Sequence, residues 1–335
     1  MSAAIQLAHG GGGALMRELI DAEIRARFAD DALAPLPDAA ILPSPGSRLA
    51  FTTDAFVVSP FEFPGGDIGR LAVCGTANDL SVAGAIPRYL SVALILEEGL
   101  SFAALRRVLD SIHATAAEIG MRVVTGDTKV VPRGQADGLY ITTTGIGELI
   151  DGLRLGPEHV RTGDRVIVSG NLGDHGMAVM CARESLPVHP APKSDVAPVH
   201  PLVEAVASFG DAVRFMRDPT RGGLASVAHE IVEGRPLAIE LDESALPVAP
   251  TTQSVAEILG MELMHVACEG RVVAVVDNTV ADEVIATWRN MPQGRGARVI
   301  GDVVDGKSGR VVLRTRIGGQ RFVDRPSGEL LPRIC

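Results

Sequence analysis

Nine Phe, two Tyr and one Trp are all the aromatic side chains in this 335-residue chain. Aromatic rings bring the largest apolar area per residue, so a core made almost without them must be assembled from Val, Ile, Leu and Ala. Such cores belong to α/β proteins with parallel or mixed sheets, whose strands read as near-continuous aliphatic runs. Apolar residues at 46% against 21% charged give the balance of a folded chain, and the length suits two domains of about 100 to 200 residues each.

The formal charge of −10 argues against a dedicated nucleic-acid binder, which shows a basic face, and against an anionic membrane surface. No apolar run approaches a membrane span, and no basic segment followed by an apolar stretch opens the chain, so a cytoplasmic protein is expected. Cys74, Cys181, Cys268 and Cys335 lie far apart without a Cys-x-x-Cys pair, which fits a reducing compartment. The first three read as small core residues. Cys335 does not, because a terminal residue is rarely held by packing, and prenylation needs the cysteine fourth from the end.

The clearest helix runs from Ser101 to Ile119, with Phe102, Leu105, Val108, Leu109, Ile112, Ala116 and Ile119 on one stripe, Ser101 as its cap and Gly120 as its stop. A second helix is expected over Leu71–Leu80. Strands are expected within residues 48–58 at Leu49–Asp54, ending on the carboxylate, at Arg122–Thr125 with Gly126-Asp127-Thr128-Lys129 at its mouth, and at Leu139–Gly145. Glycines and a proline between Asp151 and Asp164 mark a break, and α/β material resumes at Arg165. Residues 186–201, with five prolines, read as an exposed loop or flap, and residues from Gln320 onward as a tail able to span about 50 Å when extended. The expected division is therefore 1–155, 156–319 and a flexible tail, 320–335, ending in Cys335.

Gly10-Gly11-Gly12-Gly13 opens a helix through Leu15 and Ile24; its backbone amides suit either a phosphate or a flexible connection. Asp54, Asp67, Asp79, Asp127 and Asp218 each sit beside a strand end or helix start amid small residues, where Mg²⁺ bridging phosphates can be held. Each alone reads first as a cap or turn former. Glu269, between Cys268 and Gly270, is a candidate base or a simple pairing residue, and Lys129 a phosphate ligand or a solvated strand-end lysine. His9, His175 and His229 lack metal-ligand spacing; His9 and His175 are candidate neighbours of a phosphate or active site.

Taken in order, the blocks Ala8-His9-Gly10-Gly11-Gly12, Thr52-Thr53-Asp54, Cys74-Gly75-Thr76-Ala77-Asn78-Asp79, Thr125-Gly126-Asp127-Thr128-Lys129, Ser169-Gly170-Asn171-Leu172-Gly173-Asp174-His175-Gly176, Asp218-Pro219-Thr220-Arg221-Gly222-Gly223, Ala267-Cys268-Glu269-Gly270 and Pro332-Arg333-Ile334-Cys335 resemble those of the HypE family of [NiFe] hydrogenase maturation factors. The resemblance implies an α/β (α+β type) fold like that of aminoimidazole ribonucleotide synthetase and selenophosphate synthetase, and a homodimer through the N-terminal sheets. It implies ATP and Mg²⁺, with Asp54, Asp79, Asp127 and Asp218 on the metal and phosphates. Asp67, Gly11, Gly12, Asn78, Thr125, Gly126 and Thr128 would lie beside the nucleotide.

The activity implied is ATP-dependent dehydration of a carbamoyl group on Cys335 to a thiocyanate, with Glu269 and Lys129 serving the reaction. An unperturbed thiol is only a few per cent ionised at neutral pH, so the carbamoyltransferase partner, HypF by the resemblance, would supply its activation. The HypC–HypD complex would take the product. Two other readings stand beside this one: a superfamily kinase or synthetase with a free small substrate, and a non-catalytic thiol carrier.

Overall fold

The computed structural model describes residues 4–10, 14–28, 30, 42–44, 46, 48–306, 309–325 and 333–335. After α1 (Ala14–Leu19), which continues as a π-turn, come β1 (Leu49–Phe56), a small hairpin of β2 (Glu62–Phe63) and β3 (Gly66–Asp67), α2 (Ile68–Val82), β4 (Ala85–Glu97), α3 (Phe102–Ile119), β5 (Arg122–Val131) and β6 (Leu139–Leu149). The helix read from the Ser101–Ile119 stripe is α3. Its Ser101 hydroxyl accepts from the Ala104 N–H, Gly120 closes it in the left-handed conformation, and Leu105, Val108, Leu109 and Ile112 are buried. With α2 it lies on a four-stranded sheet of order β1-β6-β4-β5, in which only β4–β5, among the described pairs, is parallel.

β4, an inner strand of that sheet, is absent from the expected elements. Pro87 and Arg88 interrupt its alternation, and the register shifts at the same place, between Pro87 and Tyr89. The strand expected over Arg122–Thr125 runs on to Val131, because parallel pairing with β4 continues as far as Glu97 opposite Val131. Gly126–Lys129 therefore lies inside β5 and not at its mouth. Gly126 suits that place because a Cβ there would stand 2.1 Å from the Val92 carbonyl oxygen.

The second half comprises β7 (Arg165–Val168), α4 (Asp174–Arg183), α5 (His200–Val206), β8 (Val213–Arg217), α6 (Gly223–Val232), β9 (Leu237–Asp242), α7 (Pro250–Leu259), β10 (Val273–Val276), α8 (Ala281–Arg289), β11 (Arg298–Asp305), β12 (Arg310–Arg314) and β13 (Gln320–Phe322). They build a seven-stranded sheet, β13-β12-β9-β11-β7-β10-β8. Side chains alternate across a strand, so Val166, Val168, Val273 and Val275 face the α6 side, and Ile167, Ala274 and Val276 face α5 and α8 with Trp288. Both faces are covered, which is why these strands read as unbroken aliphatic runs; each buried Val contributes about 1.5 kcal/mol or more.

Two expectations about loops change. Gln320–Phe322 pairs with β12 and Val323 is buried, so the second sheet extends past the boundary expected at 320. The segment 186–201 is exposed only in its first part: Asp195, Val196 and Val199 are buried, because the chain there passes back to the first half, where the Ser194 N–H donates to the Pro64 carbonyl at 2.7 Å.

Candidate active site and the chain end docked in it

Asp54 near the end of β1, Asp79 in the last turns of α2 and Asp218 just after β8 line one small cleft of about 40 Å³, together with Thr220, Arg221, Glu269 and Cys335. One strand, one helix and two loops thus bring together four acidic groups far apart in sequence. Thr76 and Thr52 hold two of them, donating to Asp54 Oδ2 and Asp79 Oδ2 at 3.0 Å each. Burial, and then the neighbouring Asp79, hold the Asp54 and Asp218 carboxyls above the ordinary range. Carboxylates that repel one another across a shared cleft suit a hard cation and its phosphate oxygens.

Glu269 stands in the loop before β10, 2% exposed, and one of its carboxyl oxygens has no hydrogen-bond partner among the described residues. Its pKa is well above the usual range, by burial first and then by Asp218, Asp195, Asp54 and Asp79. Its backbone is pinned on both sides: the N–H donates to Asp195 Oδ1 at 3.2 Å, and the carbonyl accepts from Asn78 Nδ2 at 3.1 Å. Asp195 is itself paired with Arg271 at 3.3 Å. Gly270 lets the loop press so close; a Cβ there would stand 1.9 Å from the Asp195 carbonyl oxygen.

Asn78 does not line the cleft. It is buried, its amide also donates to the Ala197 carbonyl, and its oxygen accepts from the Val199 N–H at 2.8 Å. Asn78, expected beside the nucleotide, is in this structure a staple joining α2, the proline-rich loop and Glu269. A buried amide must satisfy its donors and acceptor, and here backbone groups do so.

The chain end reaches this cleft. Ile334 is 3% exposed within the first core, and Cys335, which is in no disulfide, packs against the same cluster. The carbonyl oxygens of Arg333 and Cys335 accept from the N–H groups of Ser59 and Val57 at 3.2 and 3.1 Å. The His175 Nε2 lies 2.9 Å from the Ile334 carbonyl oxygen and its Nδ1 lies 2.8 Å from Ser194 Oγ. Since a carbonyl only accepts, Nε2 carries the proton and Nδ1 accepts from the Ser194 hydroxyl. Burial lowers the pKa of His175 to about 4, so the ring is neutral at physiological pH. No sequence pattern announces this use of His175, because its partner lies 159 positions away.

Other expected residues stand elsewhere. Across the first sheet, Asp54, Thr143, Val92 and Gly126 form one row, so β5 lies three strand spacings, about 14 Å, from β1. Asp127 and Lys129 alternate onto the opposite face from Gly126 and are exposed. One chain therefore does not bring Asp127 or Lys129 to Asp54, Asp79, Asp218 and Cys335. Thr125, Gly126, Asp127 and Thr128 instead line a second, apolar cavity of about 100 Å³ with Met16, Ile20, Val92 and Leu94. Asp67 caps α2, accepting from the N–H groups of Gly69 and Arg70. His9 is buried against Phe102, away from the cleft. Gly11 and Gly12 lie outside the described residues.

The donor set fits Mg²⁺ shared with phosphates and not a closed protein cage: the cleft offers carboxylates, yet among the described residues no three acidic, His or Cys side chains stand close enough to enclose an ion. No helix among the described residues is long and apolar enough to cross a membrane.

Residues 37–149 and 161–314 match the N-terminal and C-terminal domain models of AIR synthase related proteins. The carbamoyl dehydratase HypE of Bradyrhizobium diazoefficiens is 46% identical over 99% of this chain and 96% of its own length. A HypE solved in complex with ATP superposes with a TM-score of 0.94 at 39% identity, covering 98% of this chain and 99% of the other. A chain of a HypE–HypF complex superposes at 0.81 and 41% identity, covering 94% and 100%. With both domain models matched in order and its full length shared with these relatives, the chain belongs to the HypE family of AIR synthase related proteins.

Proposed function

We propose that the chain dehydrates an S-carbamoyl group carried on its own Cys335 to a thiocyanate, driven by ATP, and so supplies the cyanide ligands of the [NiFe] hydrogenase iron. The observation that carries this reading is the return of Cys335 to the cleft of Asp54, Asp79, Asp218 and Glu269. Relatives along the full length bear the dehydratase name, and one was solved with ATP.

The chemical difficulty is the carbamoyl oxygen, which cannot depart as oxide. Its attack on the γ-phosphorus of ATP releases ADP and leaves an oxygen–phosphorus bond. Loss of both nitrogen protons and cleavage of the carbon–oxygen bond then give the thiocyanate and inorganic phosphate. Glu269 is the base in this reading, since a carboxyl whose pKa is raised holds an abstracted proton firmly once ionised. Asp54, Asp79 and Asp218 would hold Mg²⁺, which supplies charge neutralisation at the transferring phosphoryl group. Its arrival also favours ionisation of the acidic groups around it.

Asp127, Lys129 and the Thr125–Thr128 cavity enter from a second copy. Both β1 and β5 are edge strands of the first sheet, and Phe51 on β1 is 71% exposed, so each copy offers unpaired edges and an uncovered face. A homodimer through these sheets sets the Asp127–Lys129 edge of one copy beside the carboxylate cleft of the other, with ATP between them. HypF is the carbamoyl donor and HypC–HypD the acceptor, in the cytoplasm, where Cys74, Cys181 and Cys268 stay reduced.

The tail has to leave for HypF, and its docking energy permits that. Four hydrogen bonds at about 1 kcal/mol each plus about 2 for Ile334 stand against about 1.5 per ordered residue. Arg333 adds about 1 kcal/mol for its left-handed backbone, φ 58°. For the three ordered residues, the Arg333–Asp137 ion pair adds about 0.5 kcal/mol and the packing of Cys335 on the same cluster about 1, so the docked end is favoured by about 2 kcal/mol and still leaves readily.

The test uses the full chain with Cys335 carbamoylated. Addition of ATP and Mg²⁺ is expected to remove the mass of one water from the C-terminal peptide. An unchanged mass under saturating ATP overturns the dehydratase reading, and turnover of a free small substrate by Cys335→Ala would replace it with a kinase or synthetase.

A further inference from the structure

The docked end is held largely through its backbone, and one face of one helix supplies two of the four hydrogen bonds. Residues 175, 179 and 183 fall at four-residue intervals on α4 and so form a single stripe. His175 donates to the Ile334 carbonyl at 2.9 Å, and Arg183 Nη2 donates to the Arg333 carbonyl at 2.6 Å. Between them Val179 belongs to the apolar cluster that buries Ile334. Arg183 Nε also donates to the Ser59 carbonyl at 2.8 Å, tying the stripe to the extended segment whose N–H groups take the other tail carbonyls.

We propose that this stripe, with Val57–Ser59, is a docking receptor for the chain end, and that His175 and Arg183 are positioning residues that fix where the Cys335 sulfur stands. The proposal rests on the reading of Cys335 as a tethered substrate, but docking itself needs no catalysis. The hydrogen bonds read three successive carbonyl oxygens, and Ile334 is buried between them, so these contacts recognise the backbone and one aliphatic side chain ahead of the sulfur.

The proline-rich loop completes it. Ser194, which fixes the His175 tautomer, accepts from the Val196 N–H at 3.1 Å, and the next residue, Asp195, holds the Glu269 backbone. Receptor and base thus share one support, which gives residues 194–196 a role that their composition does not suggest.

The experiment follows alkylation of Cys335 by iodoacetamide in the full-length protein, without ATP, by intact mass and peptide mapping. Cys74, Cys181 and Cys268 are buried and report on folding. His175→Ala is expected to speed Cys335 alkylation about three- to tenfold, the factor one net hydrogen bond commands. His175→Gln, whose amide N–H takes the Nε2 position, is expected to stay near the wild-type rate. A wild-type rate in His175→Ala, or equal rates in the Ala and Gln variants, overturns the proposal. Should His175→Ala expose the buried cysteines, Arg183→Met decides: faster alkylation upholds the receptor and an unchanged rate overturns it. A protected thiol in a chain that never dehydrates would sink the proposed function alone.

Discussion

Among the described residues one Glu269 carboxyl oxygen has no hydrogen-bond partner at a position only 2% exposed, a costly arrangement for stability. Glu269→Gln keeps the shape and removes the base. Single-turnover dehydration is expected to fall about 100-fold or more, while the urea midpoint does not fall, because a neutral amide replaces a strongly desolvated carboxyl. Equal loss in both measurements would make Glu269 structural. His175 carries a second prediction. Its folded pKa of about 4 lies below the ordinary imidazole value of 6.5, so between these values the unfolded chain binds the extra proton. Stability from this residue is complete above pH 6.5 and is lost as pH falls towards 4, by about 3 kcal/mol. Urea unfolding at pH 7 and 4.5 is expected to show a larger loss for wild type than for His175→Gln. At this scale Asp54, Asp79, Asp218 and Glu269 are conspicuous in the sequence as acidic groups amid small residues at element ends, and the structure gathers the four in one cleft. The sequence does not show that Asn78 staples three backbones, and while it offers His175 as a neighbour of the site, it does not show that the partner of that ring is the far end of the chain.

At the scale of elements, legibility follows how much of an element's shape is decided locally. α3 is read in full because its cap, stripe and stop all lie in its own residues. In the second sheet the aliphatic runs of β7 and β10 are conspicuous because both faces are buried, whereas β13 lies in the stretch read as a tail because its pairing with β12 is not a local feature. β5 is read only to Thr125, because what extends it is the ladder to β4, and β4 is itself masked by Pro87 and Arg88. Gly126 tests that account. The methyl group of Gly126→Ala would meet the Val92 carbonyl oxygen and force β4 and β5 apart, at an expected cost of about 2 to 3 kcal/mol in urea unfolding. A loss below about 0.5 kcal/mol would mean that the ladder gives way there without penalty. The strain would fall on Asp127 and Thr128 next to it, so ATP affinity is expected to weaken as well.

The whole molecule poses a question that one chain cannot answer, since its expected site is split between opposite edges and opposite faces of one sheet. Asp79 stands with Cys335 and Glu269, whereas Asp127 stands about 14 Å away across the sheet. Sequence order conceals this separation, because a motif set read along a chain looks like one site whether one copy or two must build it. If two copies complete it, Asp79→Asn and Asp127→Asn damage different halves. Each variant alone is expected to lose ATP-dependent dehydration. Mixed by co-expression, half of the dimers carry one of each, and in those one site has both variant residues and the other has neither. Activity is therefore expected to return to about one quarter of wild type. A nucleotide lying across the sheet within one copy predicts no recovery, since every site would then hold one damaged group.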